Sequence, residues 1–286
     1  TEKVETHLID KASDVAEIID GRVTAFWQFL EGIARLPLFS DTSISNAEKI
    51  KLLQKEATFN SDIFELDFSE LDGTVHSIDG DAHIGDREWF QAARSGKPFI
   101  SEPLLSVTTQ KLIQVISVPI YDNNHQIIGV LSADINGLWL SEQIKDIVVG
   151  QTGDCSIFGQ TRTFIADRDR TLVEKQVNMH EEAKKNAAFR SVAAFIDTAV
   201  ESDQSAIGFY EYKDKKKIGS YATIKALDWA ITVTAPYNEF MGTVNTLQTS
   251  MIIIGVVILV IALAIVYLIA GAMVKPVQTA VEALKN

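Results

Sequence analysis

Apolar residues recur at Val4, Leu8, Ala12, Val15, Ile19, Val23, Phe26, Leu30 and Ile33, in steps of three or four with no proline among them. That period is one face of an α-helix. The chain is therefore expected to open with a helix from Val4 to about Leu36, about 50 Å long, ended by Pro37. A helix of that length must lie alongside a whole domain. Its repeat is also close to coiled-coil spacing, so it could pair with a second copy. A second helix is expected from about Ala47 to Phe59, with Ser45 or Asn46 as its N-cap.

The period then shortens to two. Ile63 to Ser69 alternates apolar and polar residues and runs into Leu71-Asp-Gly73, a turn signal, before a strand from Thr74 to Ile78. Arg87 to Arg94 reads as a short helix. Lys111 to Tyr121 and Gln126 to Asp134 read as strands joined by a polar turn, Asp122 to His125. A hairpin of that kind makes the sheet at least partly antiparallel. The pattern returns in weaker form, with a helix from Leu138 to Ile147. Strands follow at Gly153 to Gly159, Arg162 to Ala166, Ala206 to Tyr212, Lys215 to Ile224 and Trp229 to Pro236, with a helix from Glu181 to Asp197 between them. The expected fold class is α+β: a long N-terminal helix with two PAS-like antiparallel-sheet lobes, then a transmembrane helix. The membrane-distal lobe falls at about residues 37–137 and the membrane-proximal lobe at about 138–236.

Met251 to Ala270 (MIIIGVVILVIALAIVYLIA) holds no charge and no polar stripe. About 20 such residues cross a hydrocarbon core of roughly 30 Å, so a span is expected over residues 249–271. Lys275 follows it and Glu239 is the nearest charge before it. Cations favour the cytoplasmic side, which places residues 1–248 outside and 272–286 inside a cell inner membrane, with the lipid bilayer as a partner. A helix from Tyr237 to Gln248 can run straight into the span. In the tail, Val277, Ala280, Val281 and Leu284 share a helix face behind Pro276. The polar start, Thr1 to Lys11, is no signal peptide, so an upstream transmembrane helix is expected to deliver the domain.

Composition narrows the functional classes. With 26 basic and 38 acidic residues the net charge is −12, which disfavours nucleic acid as a partner. The mean hydropathy of +0.10 reflects the apolar block. The single cysteine, Cys155, excludes an intrachain disulfide and sits in an apolar strand where it is expected to be inert. No phosphate loop, H-E-x-x-H pair or G-x-S-x-G elbow occurs. The chain is read as not an enzyme, with no cofactor and no metal spacing.

Four ordered stretches carry a resemblance: Asp86-Arg-Glu-Trp-Phe-Gln-Ala-Ala93, Gly96-Lys-Pro-Phe-Ile-Ser-Glu-Pro103, Val118-Pro-Ile-Tyr-Asp122 and Gly129-Val-Leu-Ser-Ala-Asp134. Together with Gly150-Gln-Thr-Gly153 they resemble a double Cache sensor domain over nearly all of residues 1–248, and the tail resembles the start of a HAMP module. The resemblance implies the sensor region of a methyl-accepting chemotaxis protein. The same sensor also occurs on histidine kinases and diguanylate cyclases, and a protein-interaction module with no small ligand is the other alternative. In amino-acid-sensing members an Arg-x-Trp-Tyr cluster holds the ligand carboxylate and a later Asp its ammonium. Here Arg87, Trp89 and Phe90 match the cluster and Asp134 the later Asp. A guanidinium forks onto a carboxylate, and an indole adds a donor and a wall. Where such sensors carry two tyrosines, this chain has Ala82 and His83, and Leu104 and Leu105. The implied ligand is an amino acid, another amine or a carboxylate. His83, Ser101, Leu105 and Ser117 complete the candidate site. Bland readings stand beside these: an Arg87 salt bridge with Asp86 or Glu88, Trp89 as core, and Asp134 as a helix cap. The receptor is expected to be a homodimer.

Overall fold

The structure, a computed structural model, describes residues 2–107, 109–239 and 249–267. Of the helix expected from Tyr237 to Gln248 only Tyr237 to Glu239 fall within that set, and they are helical. The tail at 272–286 lies outside it. The chain divides into two units, residues 1–236 and 237–286.

In the first unit the elements run α1 (Glu2–Ala34), α2 (Asn46–Ala57), β1 (Ile63–Ser69), β2 (Thr74–Ser77), β3 (Gly80–His83), α3 (Glu88–Arg94), β4 (Phe99–Ile100), β5 (Leu104–Leu105), β6 (Leu112–Tyr121) and β7 (Ile127–Asn136). Then come α4 (Trp139–Ile144), β8 (Asp154–Phe158), β9 (Phe164–Asp167), α5 (Arg170–Glu174), α6 (Met179–Lys185), α7 (Arg190–Glu201), β10 (Ala206–Tyr212), β11 (Lys215–Ile224) and β12 (Trp229–Pro236). The strands form two antiparallel sheets. The first has the order β3-β2-β1-β7-β6-β4, with β5 also on β6; the second has the order β10-β11-β12-β8-β9.

The stripe read from the sequence is what α1 buries. Leu8, Ala12, Ile19, Val23 and Leu30 are fully covered. The helix packs on β6 and β7 of the first sheet and on β10, β11 and β12 of the second. Polar contacts fix its position on the second lobe: Ser220 Oγ donates to Leu8 O at 2.5 Å and Ala226 N donates to Asp20 Oδ1 at 2.7 Å. Between the lobes, Arg22 Nη1 donates to both the carbonyl and the side chain of Gln143 at 2.9 Å, and Phe26 meets Trp139 edge-on at 5.3 Å. α2 starts with a capping box in which Ser45 and Glu48 satisfy each other's backbone amides, and α2 packs on β1.

Each sheet therefore has two unlike faces. On the first, Leu66, Leu131, Ala133, Ile135, Ile116 and Val118 are buried, on the side of α1 and α2. On the second, Ile157, Ile231, Val233 and Ala235 are fully buried, on the side of α1. The opposite faces are covered by α3 in the first lobe and by α7 in the second.

The sequence reading missed the short edge strands β3, β4 and β5. β3 is exposed throughout and the other two are two residues long, too short to show a period. The helix expected over Glu181 to Asp197 is divided. Asn186 leaves helical geometry at φ −140°, ψ 117° and its side chain caps a short 3-10 turn at Ala188 N. A side-chain amide that bonds local backbone competes with the helix ladder. α5, also unforeseen, is capped by Asp169 on Thr171 N.

The second unit contains one helix, α8 (Thr249–Tyr267), of mean hydropathy 3.1. It is long and apolar enough to cross a bilayer, and its large apolar residues, from Met251 to Tyr267, are all exposed.

Truncating Leu131 to Ala, at the fully buried centre of β7, is expected to lower unfolding stability by about 2–5 kcal/mol. Phe59→Ala, at a side chain 73% exposed, should change it by no more than about 0.5 kcal/mol. Thermal or denaturant unfolding of the two variants checks the assignment of the core face.

Candidate ligand-binding site

Directly opposite residues of an antiparallel pair point to the same side of the sheet. On the first sheet, Asp67 faces Ser132, which faces Ser117; one row further along, Glu65 faces Asp134, which faces Val115. All of these lie on the side away from α1 and α2. The same face carries Ser69 and Val130, opposite one another.

α3 is seated on this face. Phe90 and Ala93 are fully buried against Val130, with Ile84 and Trp89 packed around them. The fully buried Ser117 donates its hydroxyl to Trp89 O at 2.8 Å. That bond fixes the start of α3 one row from Asp134, a step of about 7 Å along the strand. Phe90 thus forms the seat of α3, and the Ser117 hydroxyl is committed to holding it.

The carboxylates of this face form a patch. Burial pushes Asp134 up to about 7, and the charge of Glu65 adds to it. Asp67 rises to about 9, mainly through burial and then through the charges of Glu65 and Asp134. Asp67 Oδ1 and Ser69 Oγ are buried without a hydrogen-bond partner. Glu65 accepts from Ile78 N at 3.2 Å. Among the described residues no basic side chain forms an ion pair with Glu65, Asp67 or Asp134, and no group of three or more His, Cys, Asp or Glu is arranged to hold a metal ion. Crowded carboxylates that burial keeps protonated favour an incoming cation with hydrogen-bond donors, and a ligand ammonium is one.

Arg87 is the N-cap residue of α3 but makes no cap bond with its side chain. Its guanidinium lies 5.6 Å from the centre of the Trp89 ring, in a cation–π arrangement, and 3.9 Å from Asp86 in an exposed pair. Neither contact holds it strongly, since exposed pairs contribute about 0–1 kcal/mol. Arg87 and Trp89 line a hollow of about 700 Å³ together with Ser101, Trp27, Gln160 and Trp229. This hollow lies between the two lobes and α1. Asp134 is not among its lining residues, so the cation and the anion share one side of the sheet but not this hollow.

The remaining candidates divide similarly. Ser101 continues the β4 ladder: its amide donates to Val115 O at 2.9 Å and its Oγ accepts from Val115 N at 2.8 Å. Leu105 is exposed on β5. His83 is exposed at the end of β3, and its ring lies over Gly73 and Gly85. A Cβ on Gly73 would come within 2.6 Å of Gly85 Cα, so His83 closes a loop crossing that only glycines permit. The sequence reading missed Glu65, Asp67 and Trp27. Glu65 and Asp67 alternate with Leu66 and Phe68, as a solvated strand face would, and only the register with β7 shows what they oppose. The Trp27 indole N–H is buried without a partner, and Trp27 follows Phe26 on α1 but is not itself a position of the apolar stripe.

The Cache domain profile matches residues 1–244. Among solved structures, the ligand-binding domain of Mlp24 with asparagine aligns at TM-score 0.59 and 16% identity, covering 85% of this chain and 98% of that one. The ligand-binding domain of the Campylobacter jejuni chemoreceptor Tlp3 in complex with 4-methylisoleucine aligns at TM-score 0.59 and 16% identity, covering 83% and 92%. The extracellular domain of the putative histidine kinase mmHK1S-Z3 aligns at TM-score 0.67 and 11% identity, covering 86% and 99%. At these identities the likeness is one of fold. No curated protein matches the chain.

The carboxylate patch has a pH signature. In the fold, Asp134 and Asp67 hold protons above their ordinary value of 3.8, whereas the unfolded chain releases them near that value. Their contribution to stability is therefore complete below about pH 4 and falls as pH rises through about 7 for Asp134 and about 9 for Asp67. Asp134→Asn and Asp67→Asn remove the titrating groups. Their melting temperatures should exceed that of the parent protein by a margin that widens from about pH 4 to about pH 7 for Asp134→Asn and to about pH 9 for Asp67→Asn, and levels off above. Parallel curves across that range would contradict the buried patch.

Proposed function

The chain belongs to the Cache domain family, and on that premise we propose that it is the ligand-binding sensor region of a transmembrane chemoreceptor of the methyl-accepting type. Its ligand is a small molecule with an ammonium group, an amino acid or a related amine, held on the first lobe. The observation that carries this reading is the buried carboxylate patch, Asp134 with Asp67 and Glu65, which has no cation among the described residues. The ammonium docks there. A ligand carboxylate reaches towards Arg87, whose exposed guanidinium swings off the Trp89 ring to fork onto it. The asparagine and 4-methylisoleucine named for two structures of the same fold are zwitterions of this kind.

In this reading α8 crosses the inner membrane and residues 1–248 lie outside the cytoplasm. The receptor works as a homodimer, and the tail at 272–286 begins a HAMP relay. The ligand binds one of two lobe geometries more tightly and so shifts their populations. A histidine kinase is the second reading for the output, favoured by the fold shared with a putative kinase's extracellular domain.

A thermal-shift screen of amino acids, amines and small carboxylates tests the assignment. An amine-bearing compound at a hundredfold excess over its Kd should stabilise the protein by about 2.7 kcal/mol. Asp134→Ala should abolish the shift for amino acids and open-chain amines, and Arg87→Ala only for those that also carry a carboxylate. Undiminished shifts in both variants, or shifts from carboxylates alone, would sink the site.

A further inference from the structure

The second sheet contrasts with itself. Towards α1 its strands present Ile157, Ile231, Val233 and Ala235, an ordinary aliphatic core. Towards α7 the same strands present Ser156, Thr232, Thr234 and Asp167, all buried. The register sets these in rows: Asp167 faces Ser156, Ser156 faces Thr232, and Asp154 faces Thr234. Polar groups are costly beneath a cover of apolar side chains, and the cover here is apolar: Leu172 of α5, Met179 of α6, and Val192, Phe195 and Ile196 of α7. Between floor and cover is a cavity of about 200 Å³.

Its walls are aromatic. Phe195 stacks on Tyr210 with ring centres 4.6 Å apart, and Phe158 packs on Phe164 at 4.6 Å. Phe195 can lie flat because Gly208 and Gly219 are beneath it; a Cβ on either would come within 2.8 Å of its ring. The floor is anionic. Asp167 accepts from Ser156 Oγ at 2.6 Å and from Asp169 N at 2.7 Å, and no ion pair reaches it among the described residues. Asp154 is bonded by Thr234 Oγ1 at 2.6 Å and lies 3.7 Å from Lys217 Nζ. The exposed Asp169 and Lys213 mark where the cavity meets solvent.

We propose that this cavity is a second small-molecule site, for an amine on a single apolar ring. The ring fits between Phe158, Phe164, Phe195 and Met179, and the ammonium pairs with Asp167 and the neighbouring hydroxyls. Size supports this class. A dry cavity of about 150 Å³ takes up benzene, so one of about 200 Å³ holds one ring and a short arm. Charge supports it too: three carboxylates, Asp154, Asp167 and Asp169, line the cavity against two lysines, Lys213 and Lys217. The burial that pushes Asp167 up to about 6 is relieved by a cation at that carboxylate. The site shares no lining residue with the first-lobe patch or the hollow at Arg87, so it does not rest on the reading of either.

The test uses the full chain in detergent micelles, with benzylamine as probe and benzyl alcohol as its neutral counterpart, followed by calorimetry. Saturable benzylamine binding is expected, at least tenfold tighter than any binding of benzyl alcohol. In Asp134→Ala, which removes the first-lobe amine patch, saturable binding should remain, and adding Asp167→Asn to that variant, which keeps the shape and the acceptor, should weaken it at least tenfold. Circular dichroism verifies that the variant folds. If it does not, the parent protein decides the matter: the bound ring must show NMR contacts to the Met179 methyl group. Absent saturation, loss of binding in Asp134→Ala, full binding in the folded double variant, or bound probe without contact to Met179 would each overturn the proposal.

Discussion

One constraint organises the first unit: the apolar stripe of α1 must be buried along its whole length, and neither sheet alone is long enough to bury it. Burial of apolar area is the main favourable term in folding. The helix therefore recruits both sheets, resting on β6 and β7 of one and on β10, β11 and β12 of the other. Once one face of each sheet is closed in this way, the other is relieved of supplying the main core. Carboxylates and hydroxyls can then stand on it at tolerable cost. The patch at Asp134 and the floor at Asp167 are two instances of the same allowance.

The two lobes use the allowance differently. In the first, the cover is a single short helix, α3, held by Phe90 and Ala93 against Val130, by Trp89 beside them and by the hydrogen bond from Ser117. A cover with few attachments can move, and low local stability is where binding elements are usually drawn from. In the second, three helices close the face and packed aromatic pairs line it. Arg162 adds a surface network there, bonded to Asp197 and Glu201 at 2.6 Å.

Much of this fold could be read from residue order. The long stripe, the alternation in Ile63 to Ser69 and the hairpin turn at Asp122 all announced their elements, because each period is written locally. β10, β11 and β12 were legible for the same reason. β3, β4 and β5 were not: strands so short exist only because a neighbour pairs with them. The break at Asn186 was also hidden, since a polar residue inside a helical pattern is usually just an exposed one. The site was less legible than the fold. Asp134, Arg87 and Trp89 could be named from the resemblance to amino-acid-sensing Cache domains, but Glu65 and Asp67 are given meaning only by strand register. The expectation that Arg87 and Asp134 share a pocket turns on side-chain directions that no periodicity encodes.

The shared helix also limits how the chain can vary in length. Each residue of an α-helix advances the azimuth by about 100°. Removing a single residue between Ile19 and Phe26 would turn one half of the buried stripe well away from the other, so that only one lobe could remain docked. Adding or deleting about seven residues, close to two full turns, would nearly restore the azimuth but would shift one lobe about 10 Å along the axis. Insertions are thus far easier to accommodate in surface turns such as Asp122 to Gln126 than in α1, which works as a gauge fixing both the spacing and the rotation of two sheets at once.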